Sequence, residues 1–102
     1  MDIKERIKKI VNKDEIVLFM KGTEHFPMCG FSARAIQMLK ACGVENFKTV
    51  NVLEDEEIRH GIKVFSNWPT IPQLYVRAEF IGGSDIMVEM LESGELQKLF
   101  TV

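Results

Sequence analysis

Cysteine is scarce in this chain, which has only Cys29 and Cys42 among its 102 residues. Two cysteines are too few for the disulfide framework on which small secreted domains depend. With His25 and His60 they also lack the paired spacing of a zinc finger. If residues 30–42 form one helix, a rise of 1.5 Å per residue separates the two cysteines by roughly 20 Å, well beyond disulfide reach. We therefore expect two free thiols and no metal site made by the protein alone.

Net charge and long apolar runs are also lacking. The formal net charge is −2 at pH 7, which argues against the basic surface of a nucleic-acid-binding protein. No apolar run approaches the ~20 residues that span a bilayer. The N-terminus, Met1-Asp2-Ile3-Lys4-Glu5-Arg6, has no secretory apolar core and is too acidic for a typical transit peptide. We expect one domain over residues 1–102, without nucleic-acid or membrane partners, in the cytoplasm, or in an organelle matrix if a targeting segment was removed.

The spacing of apolar residues predicts alternating helices and strands. Ile3, Ile7, Ile10 and Val11 recur at helical spacing, and the five apolar residues 16–20 are typical of a strand covered on both faces. The predicted elements are a first helix from about Ile3, a strand 16–20, a helix 30–42, a strand 47–52, a helix 53–66, strands 74–76 and 79–81, a helix 85–92 capped by Ser84, and a short helix 95–100. This order predicts an α/β domain with a four-stranded mixed sheet flanked by helices.

Cys29 stands at the predicted junction between a loop and a helix that starts at Gly30. The free N–H groups and partial positive charge of a helix N-terminus favour a thiolate, so Cys29 is the candidate nucleophile. Ser32 occupies the position at which a Cys-x-x-Cys pair carries its resolving thiol. Because a hydroxyl cannot resolve a mixed disulfide, the predicted chemistry is that of a single thiol.

Two further segments each allow two interpretations. In residues 68–73, Pro72 either sets an ordinary loop turn or follows a cis peptide bond, which would turn the Ile71 backbone outward toward an extended peptide. The segment Gly82-Gly83-Ser84-Asp85 is either a turn with a helix cap or an anion site made by the free N–H groups at the start of a helix. Spacing alone leaves both questions open.

One combination of motifs runs through the chain: Lys21, Cys29-Gly30-Phe31-Ser32, Arg59, Trp68-Pro69-Thr70-Ile71-Pro72-Gln73-Leu74-Tyr75 and Gly82-Gly83-Ser84-Asp85. It extends from about residue 3 to residue 100 and closely resembles the monothiol glutaredoxins of the CGFS type. The loop of residues 22–28 between Lys21 and Cys29 also resembles that family, in which it accompanies poor disulfide reduction. The resemblance implies a thioredoxin-like fold, glutathione binding and a [2Fe–2S] cluster.

The resemblance also implies a role for each matching residue. Lys21 and Arg59 would hold the glycine carboxylate of glutathione through charge-assisted hydrogen bonds. The Ile71 backbone would pair with the cysteinyl unit, as in strand addition. The amides of Ser84 and Asp85 would bind the γ-glutamyl carboxylate, and the Asp85 side chain its amino group. The residues expected to shape the site around them are Gly30, Phe31, Ser32, Thr70, Pro72, Gly82 and Gly83.

The implied cluster requires more than one chain. Two Cys29 thiolates and two glutathione thiolates would supply the four sulfurs that a [2Fe–2S] cluster needs. The resemblance therefore implies a homodimer that carries the cluster to apo iron–sulfur proteins, with a BolA-type protein as an alternative partner to the second protomer. The competing function is glutathione-dependent thiol–disulfide exchange, in which Cys29 alone removes glutathione from modified proteins.

Two positions depart from that family. Ser84 stands where many relatives carry a second cysteine, so the usual intramolecular disulfide partner of Cys29 is missing. Arg77-Ala78 stands at the hairpin tip, where relatives usually have glycine. Because alanine disfavours positive φ, we expect a turn other than the primed two-residue type there.

Cys42, which ends a helix beside apolar residues, is expected to belong to the core.

Overall fold

The computed structural model describes residues 1–101, and its elements follow the predicted order. In chain order they are α1 (Ile3–Lys13), β1 (Ile16–Met20), α2 (Gly30–Ala41), β2 (Lys48–Asn51), a 3-10 turn (Val52–Glu54), α3 (Glu56–Ser66), β3 (Gln73–Val76), β4 (Glu79–Gly82), α4 (Ser84–Ser93) and α5 (Glu95–Phe100). The four strands form one mixed sheet, which confirms the predicted α/β architecture. No helix within residues 1–101 is both long and apolar enough to cross a membrane.

At one edge of the sheet, the C-terminal ends of β1, β2 and β4 lie beside the N-terminal end of β3. Its strand order is β2-β1-β3-β4; β1 and β2 run parallel, and β3 is antiparallel to both β1 and β4. Met20 at the end of β1 lies opposite Asn51 at the end of β2, and Leu74 near the start of β3 lies opposite Gly82 at the end of β4. The segments that follow β1, β2 and β4 and the segment that precedes β3 therefore meet at the same edge.

The fully buried β1 divides the core into two layers. Ile16, Leu18 and Met20 pack on one face of the sheet, together with residues of α2, α4 and α5. Val17 and Phe19 pack on the other face, together with residues of α1 and α3. Because successive side chains of a strand point to opposite faces, five apolar residues in a row serve both layers at once.

Two helix starts differ from the sequence-based prediction. The helix predicted from Leu53 begins only at Glu56, because Asp55 has extended backbone angles and its carboxylate accepts hydrogen bonds from the Glu57 and Ile58 amides. The prediction of Ser84 as the cap of α4 is also wrong. Gly83 is the N-cap, and Ser84 is the first helical residue.

The tip of the β3–β4 hairpin also differs from expectation. Arg77 has φ 50° and Ala78 has φ 66°, so the turn is a primed two-residue turn despite the lack of glycine. Contacts of Arg77 hold it in place. Its backbone N–H donates to the Glu15 carbonyl at 2.7 Å, and its guanidinium donates to the Leu99 carbonyl at 3.0 Å. These tertiary bonds outweigh the local preference of the two residues for negative φ.

Candidate functional site

A groove of about 480 Å³ opens at the edge where the strand ends meet. It is lined by five separate segments of the chain: Lys21, the start of α2 with Cys29 and Phe31, Lys63, the run Trp68-Pro69-Thr70-Ile71-Pro72, and Gly83-Ser84-Asp85. A larger cavity of about 680 Å³ lies between α1 and α3, but its lining contains no thiol. The predicted chemistry therefore belongs to the smaller groove.

Cys29 is the N-cap residue of α2 and is half-buried at the rim of the groove. The backbone amide of Ser32 is the main cause that lowers the pKa of the Cys29 thiol. The Phe31 amide, the charge of Lys21 and the Ser32 hydroxyl act in the same direction, while burial opposes them. These causes are those expected at a helix N-terminus, and they favour the thiolate.

Ser32 cannot act as a solvent-facing group, because its side chain is completely buried. Its hydroxyl accepts a hydrogen bond from the backbone N–H of Lys21 at 3.0 Å. Ser32, at the position of the resolving thiol in a Cys-x-x-Cys pair, thus makes a structural hydrogen bond between α2 and the end of β1.

The loop between Lys21 and Cys29 is ordered by backbone hydrogen bonds. The Met28 amide donates to the Lys21 carbonyl at 2.9 Å, and Gly22 pairs with Pro27 in an isolated bridge. Gly22 has φ 95°, and a Cβ there would lie 2.5 Å from the Phe26 carbonyl oxygen. The loop therefore requires glycine at this point. It leaves Phe26 and Met28 largely exposed beside Cys29, at 78% and 71% of their surface.

The Ile71–Pro72 peptide bond is cis, which decides between the two interpretations that the sequence left open. The segment before it is fixed from within the fold. The side-chain Nε2 of the fully buried Gln73 donates to the backbone carbonyls of Trp68 and Thr70, both at 3.1 Å. Gln73 was not among the predicted site residues, although it directly follows Pro72 and shapes one wall of the groove.

The start of α4 forms the opposite wall. The first helical bond of α4 runs from the Met87 amide to the Gly83 carbonyl, so the amides of Ser84 and Asp85 are free of intrahelical partners. A Cβ on Gly83 would lie 3.1 Å from Trp68 Nε1 and 3.3 Å from the Pro72 carbonyl oxygen. A side chain at this position would require one of the two walls to shift by a few tenths of an ångström.

The cations of the groove differ in part from those predicted. Lys21 lines the groove as expected, and Lys63 of α3 lines it as well. Arg59 is half-buried and lies one helical turn before Lys63 on α3. Among the described residues, it does not line the groove. Sequence reasoning missed Lys63, although its position four residues after Arg59 puts it on the same helix face.

Gly30, Gly82 and Cys42 do not line the groove. Gly30 is exposed as the first residue of α2. Gly82 is buried with φ 151°, and a Cβ there would lie 2.7 Å from the Cβ of Ile86. Cys42 stands at the other end of α2, half-buried against the core, where burial raises the pKa of its thiol. It therefore belongs to the edge of the core and has no part in the groove.

Fold and groove together define a thioredoxin-like domain with one activated thiol at a helix N-terminus. The family model of glutaredoxin matches residues 16–81. A Synechocystis protein named an uncharacterized monothiol glutaredoxin is 52% identical over 99% of this chain and 94% of its own length. The chain belongs to the glutaredoxin family, and its relatives place it among the monothiol glutaredoxins.

Other relatives agree with this assignment. The chloroplastic monothiol glutaredoxin-S14 of Arabidopsis thaliana is 53% identical over 94% of this chain, which spans 55% of that protein. The solution structure of reduced, apo poplar GrxS14 has 51% identity and a TM-score of 0.82 over 94% of this chain and 87% of its own. A buckwheat glutaredoxin–glutathione complex has a TM-score of 0.84 over 97% of this chain and 87% of its own, but at 20% identity it supports the fold alone.

Proposed function

We propose that this monothiol glutaredoxin binds glutathione in the groove and, as a homodimer, holds a [2Fe–2S] cluster as cargo for apo iron–sulfur proteins. The observation that carries the proposal is the single activated thiol of Cys29 at the rim of the groove. The other thiol, Cys42, lies at the far end of α2. The chain therefore offers one sulfur where a cluster needs four.

Glutathione matches the charges that the groove presents. The tripeptide has two carboxylates, one amino group and one thiol. Lys21 and Lys63 supply positive charge for the glycine carboxylate, with Arg59 one turn away on α3. The free amides at the start of α4 suit the γ-glutamyl carboxylate, and the Asp85 carboxylate suits the amino group.

The remaining atoms of glutathione would pair with the backbone of the groove. Ile71 lies in the wall directly before the cis peptide bond, and its backbone is the candidate partner for the cysteinyl unit. In this orientation the glutathione sulfur would lie beside Cys29. A volume of about 480 Å³ is within the usual range for a pocket that holds a small molecule.

The sulfur count supports a dimeric carrier. Within residues 1–101, no three His, Cys, Asp or Glu side chains are grouped so that they could hold a metal ion. Two protomers with one Cys29 each and two bound glutathiones would complete the ligand set of a [2Fe–2S] cluster. Because half of these ligands are a diffusible tripeptide, we expect the cluster to be labile and therefore transferable.

The surface around Cys29 supports docking of another protein. Phe26, Met28 and Phe31 expose 78%, 71% and 59% of their surface next to the thiol, and exposed apolar side chains grouped in this way mark interaction sites. The second protomer is the proposed occupant. A BolA-type protein as the alternative partner follows from the family resemblance, and the cytoplasmic location stays a prediction.

Thiol–disulfide exchange is the second candidate, and the lowered pKa of Cys29 favours it. The Cys29 thiolate would attack the glutathione sulfur of a glutathionylated protein and release the protein thiolate. A second glutathione thiolate would then attack the Cys29–glutathione disulfide and release glutathione disulfide. This cycle needs only one protein thiol, which agrees with the buried hydroxyl of Ser32.

Anaerobic reconstitution separates the two functions. The protein is incubated with iron and sulfide, with and without glutathione, and the visible absorption and dimer content are measured. We expect charge-transfer bands and a dimer only when glutathione is present. A full, stable cluster without glutathione or another small thiol would contradict the proposed ligand set. A colourless protein that rapidly deglutathionylates substrates would favour the exchange reaction.

A further inference from the structure

The backbone around Lys21 is held by side chains from two neighbouring elements. Where β1 leaves the sheet, the Lys21 amide donates to Ser32 Oγ at 3.0 Å, and the next amide, that of Gly22, donates to Asn51 Oδ1 at 2.9 Å. The Lys21 carbonyl accepts from the Met28 amide at 2.9 Å. The N–H and the carbonyl of Lys21 and the N–H of Gly22 therefore each have a fixed partner.

These bonds replace the sheet ladder at the point where it ends. Gly22 and Ser32 are buried, so the two amides cannot exchange their partners for bulk water at little cost. Asn51 is the last residue of β2 and lies opposite Met20. Its side-chain oxygen also accepts from the Leu53 amide at 3.0 Å. One amide side chain thus ties the ends of two strands to the turn that leads into α3.

We propose that Asn51 and Ser32 are positioning residues that fix the Lys21 backbone so that its side chain reaches the ligand of the groove. The proposal rests on the proposed binding of glutathione by Lys21. A lysine side chain is long and flexible, and a rigid base removes part of the ordering cost when its ammonium group binds a carboxylate. Asn51 itself is not among the residues that line the groove, so its effect on the ligand is indirect, and the proposed route is through Lys21.

A double-mutant cycle tests this route directly. Glutathione affinity is measured by calorimetry and by the fluorescence of Trp68, the only tryptophan of the chain and a residue of the groove wall. We expect Asn51→Ala and Ser32→Ala each to weaken binding by about 3- to 10-fold in the wild-type background. In the Lys21→Ala background, either change should alter the affinity by less than about twofold, because no positioned ammonium group is left to lose.

Two further variants and one exchange measurement separate positioning from general damage. Asn51→Asp keeps the oxygen that accepts from Gly22 and should bind glutathione within about twofold of wild type. Asn12→Ala loses a comparable side-chain bond, Asn12 Nδ2 to the Lys8 carbonyl at 2.7 Å on α1, and should not change the affinity. Hydrogen exchange at the Gly22 amide should accelerate in Asn51→Ala and stay slow in Asn12→Ala.

The outcomes distinguish this inference from the proposed function. If Lys21→Ala weakens binding but neither Asn51→Ala nor Ser32→Ala does, the positioning role is wrong and the glutathione site stands. If Asn51→Ala weakens binding equally in both backgrounds, its effect does not pass through Lys21, and the inference is overturned. If Lys21→Ala binds glutathione as tightly as wild type, the lysine has no role in the site and the inference is overturned, whereas the proposed function fails only if the wild-type protein does not bind glutathione.

Discussion

The two ends of α2 hold the same side chain in opposite environments. Cys29 caps the N-terminus, where helix amides and Lys21 lower the pKa of its thiol. Cys42 caps the C-terminus, where burial raises the pKa of its thiol. Both are half-buried, so exposure alone does not distinguish them. The pKa of a thiol in this chain is therefore lowered by the free amides of a helix N-terminus and raised by burial where such donors are lacking.

The largest expected effect comes from exchanging each thiol for a hydroxyl. Cys29→Ser should abolish cluster binding, because it removes the only protein sulfur at the groove, while far-UV circular dichroism stays unchanged. Cys42→Ser should bind a full cluster, as the matched control at the other end of the same helix. Visible absorption after reconstitution with glutathione measures both. A coloured Cys29→Ser dimer would refute the ligand assignment, and a colourless Cys42→Ser protein would show that the second thiol takes part.

The next largest effect is expected on glutathione affinity, from loss of the positive charges in and near the groove that holds Cys29. Lys21→Ala should weaken glutathione binding by roughly 10- to 100-fold, since a lost charge-assisted bond costs about 1.5–3 kcal/mol. Lys63→Ala should have an effect of the same order, because Lys63 lines the groove. Arg59→Ala tests the position one turn earlier. Calorimetry with each variant ranks the three, and an unchanged affinity in both lysine variants would remove the electrostatic basis of the site.

A smaller effect compares the two thiols directly. At pH 7, Cys29 should be alkylated by iodoacetamide faster than Cys42, because the thiol with the lower pKa carries the larger fraction of reactive thiolate. Because the pKa of Cys29 is lowered and that of Cys42 is raised, the ratio should shrink as the pH rises through both values. Peptide mass spectrometry gives the two rates. Equal rates at pH 7 would remove the distinction between the helix ends.

The smallest expected effect concerns disulfide formation within one chain. Mild oxidation should leave no intramolecular disulfide, because the twelve residues of α2 separate Cys29 from Cys42 and Ser84 offers no thiol. The expected products are a Cys29–glutathione adduct or a Cys29–Cys29 dimer. A monomer two hydrogens lighter, with a linked Cys29–Cys42 peptide, would contradict this expectation.

The sequence predicted the parts of the fold that depend on local pattern. The all-apolar run of β1 and the helical spacing of Ile3, Ile7 and Val11 suffice for their elements, and both are confirmed. The placement of Cys29 at the start of α2 is confirmed for the same reason. In each case a few neighbouring residues determine the structure, so a single sequence carries the signal.

The features that were missed depend on tertiary contacts. Gly83, not Ser84, caps α4, at a point where a Cβ would lie only 3.1 Å from Trp68 Nε1. The primed turn at Arg77 is held by Glu15 and Leu99, which are distant in sequence. The spacing puts Lys63 and Arg59 on the same face of α3, but that Lys63 rather than Arg59 lines the groove depends on how α3 packs against the sheet. No local pattern encodes these contacts, because they exist only once the elements have packed.

The assembly of the groove from five separate segments, between Lys21 and Asp85, has a thermodynamic consequence. An unfolded chain cannot bring these segments together, so a molecule that fills the groove binds only the native state. Its binding free energy then adds to the stability of the whole domain, by about 2.7 kcal/mol at a concentration one hundred times its Kd. Thermal melting in the presence of candidate small molecules would thus identify the natural occupant without any assay of catalysis or colour.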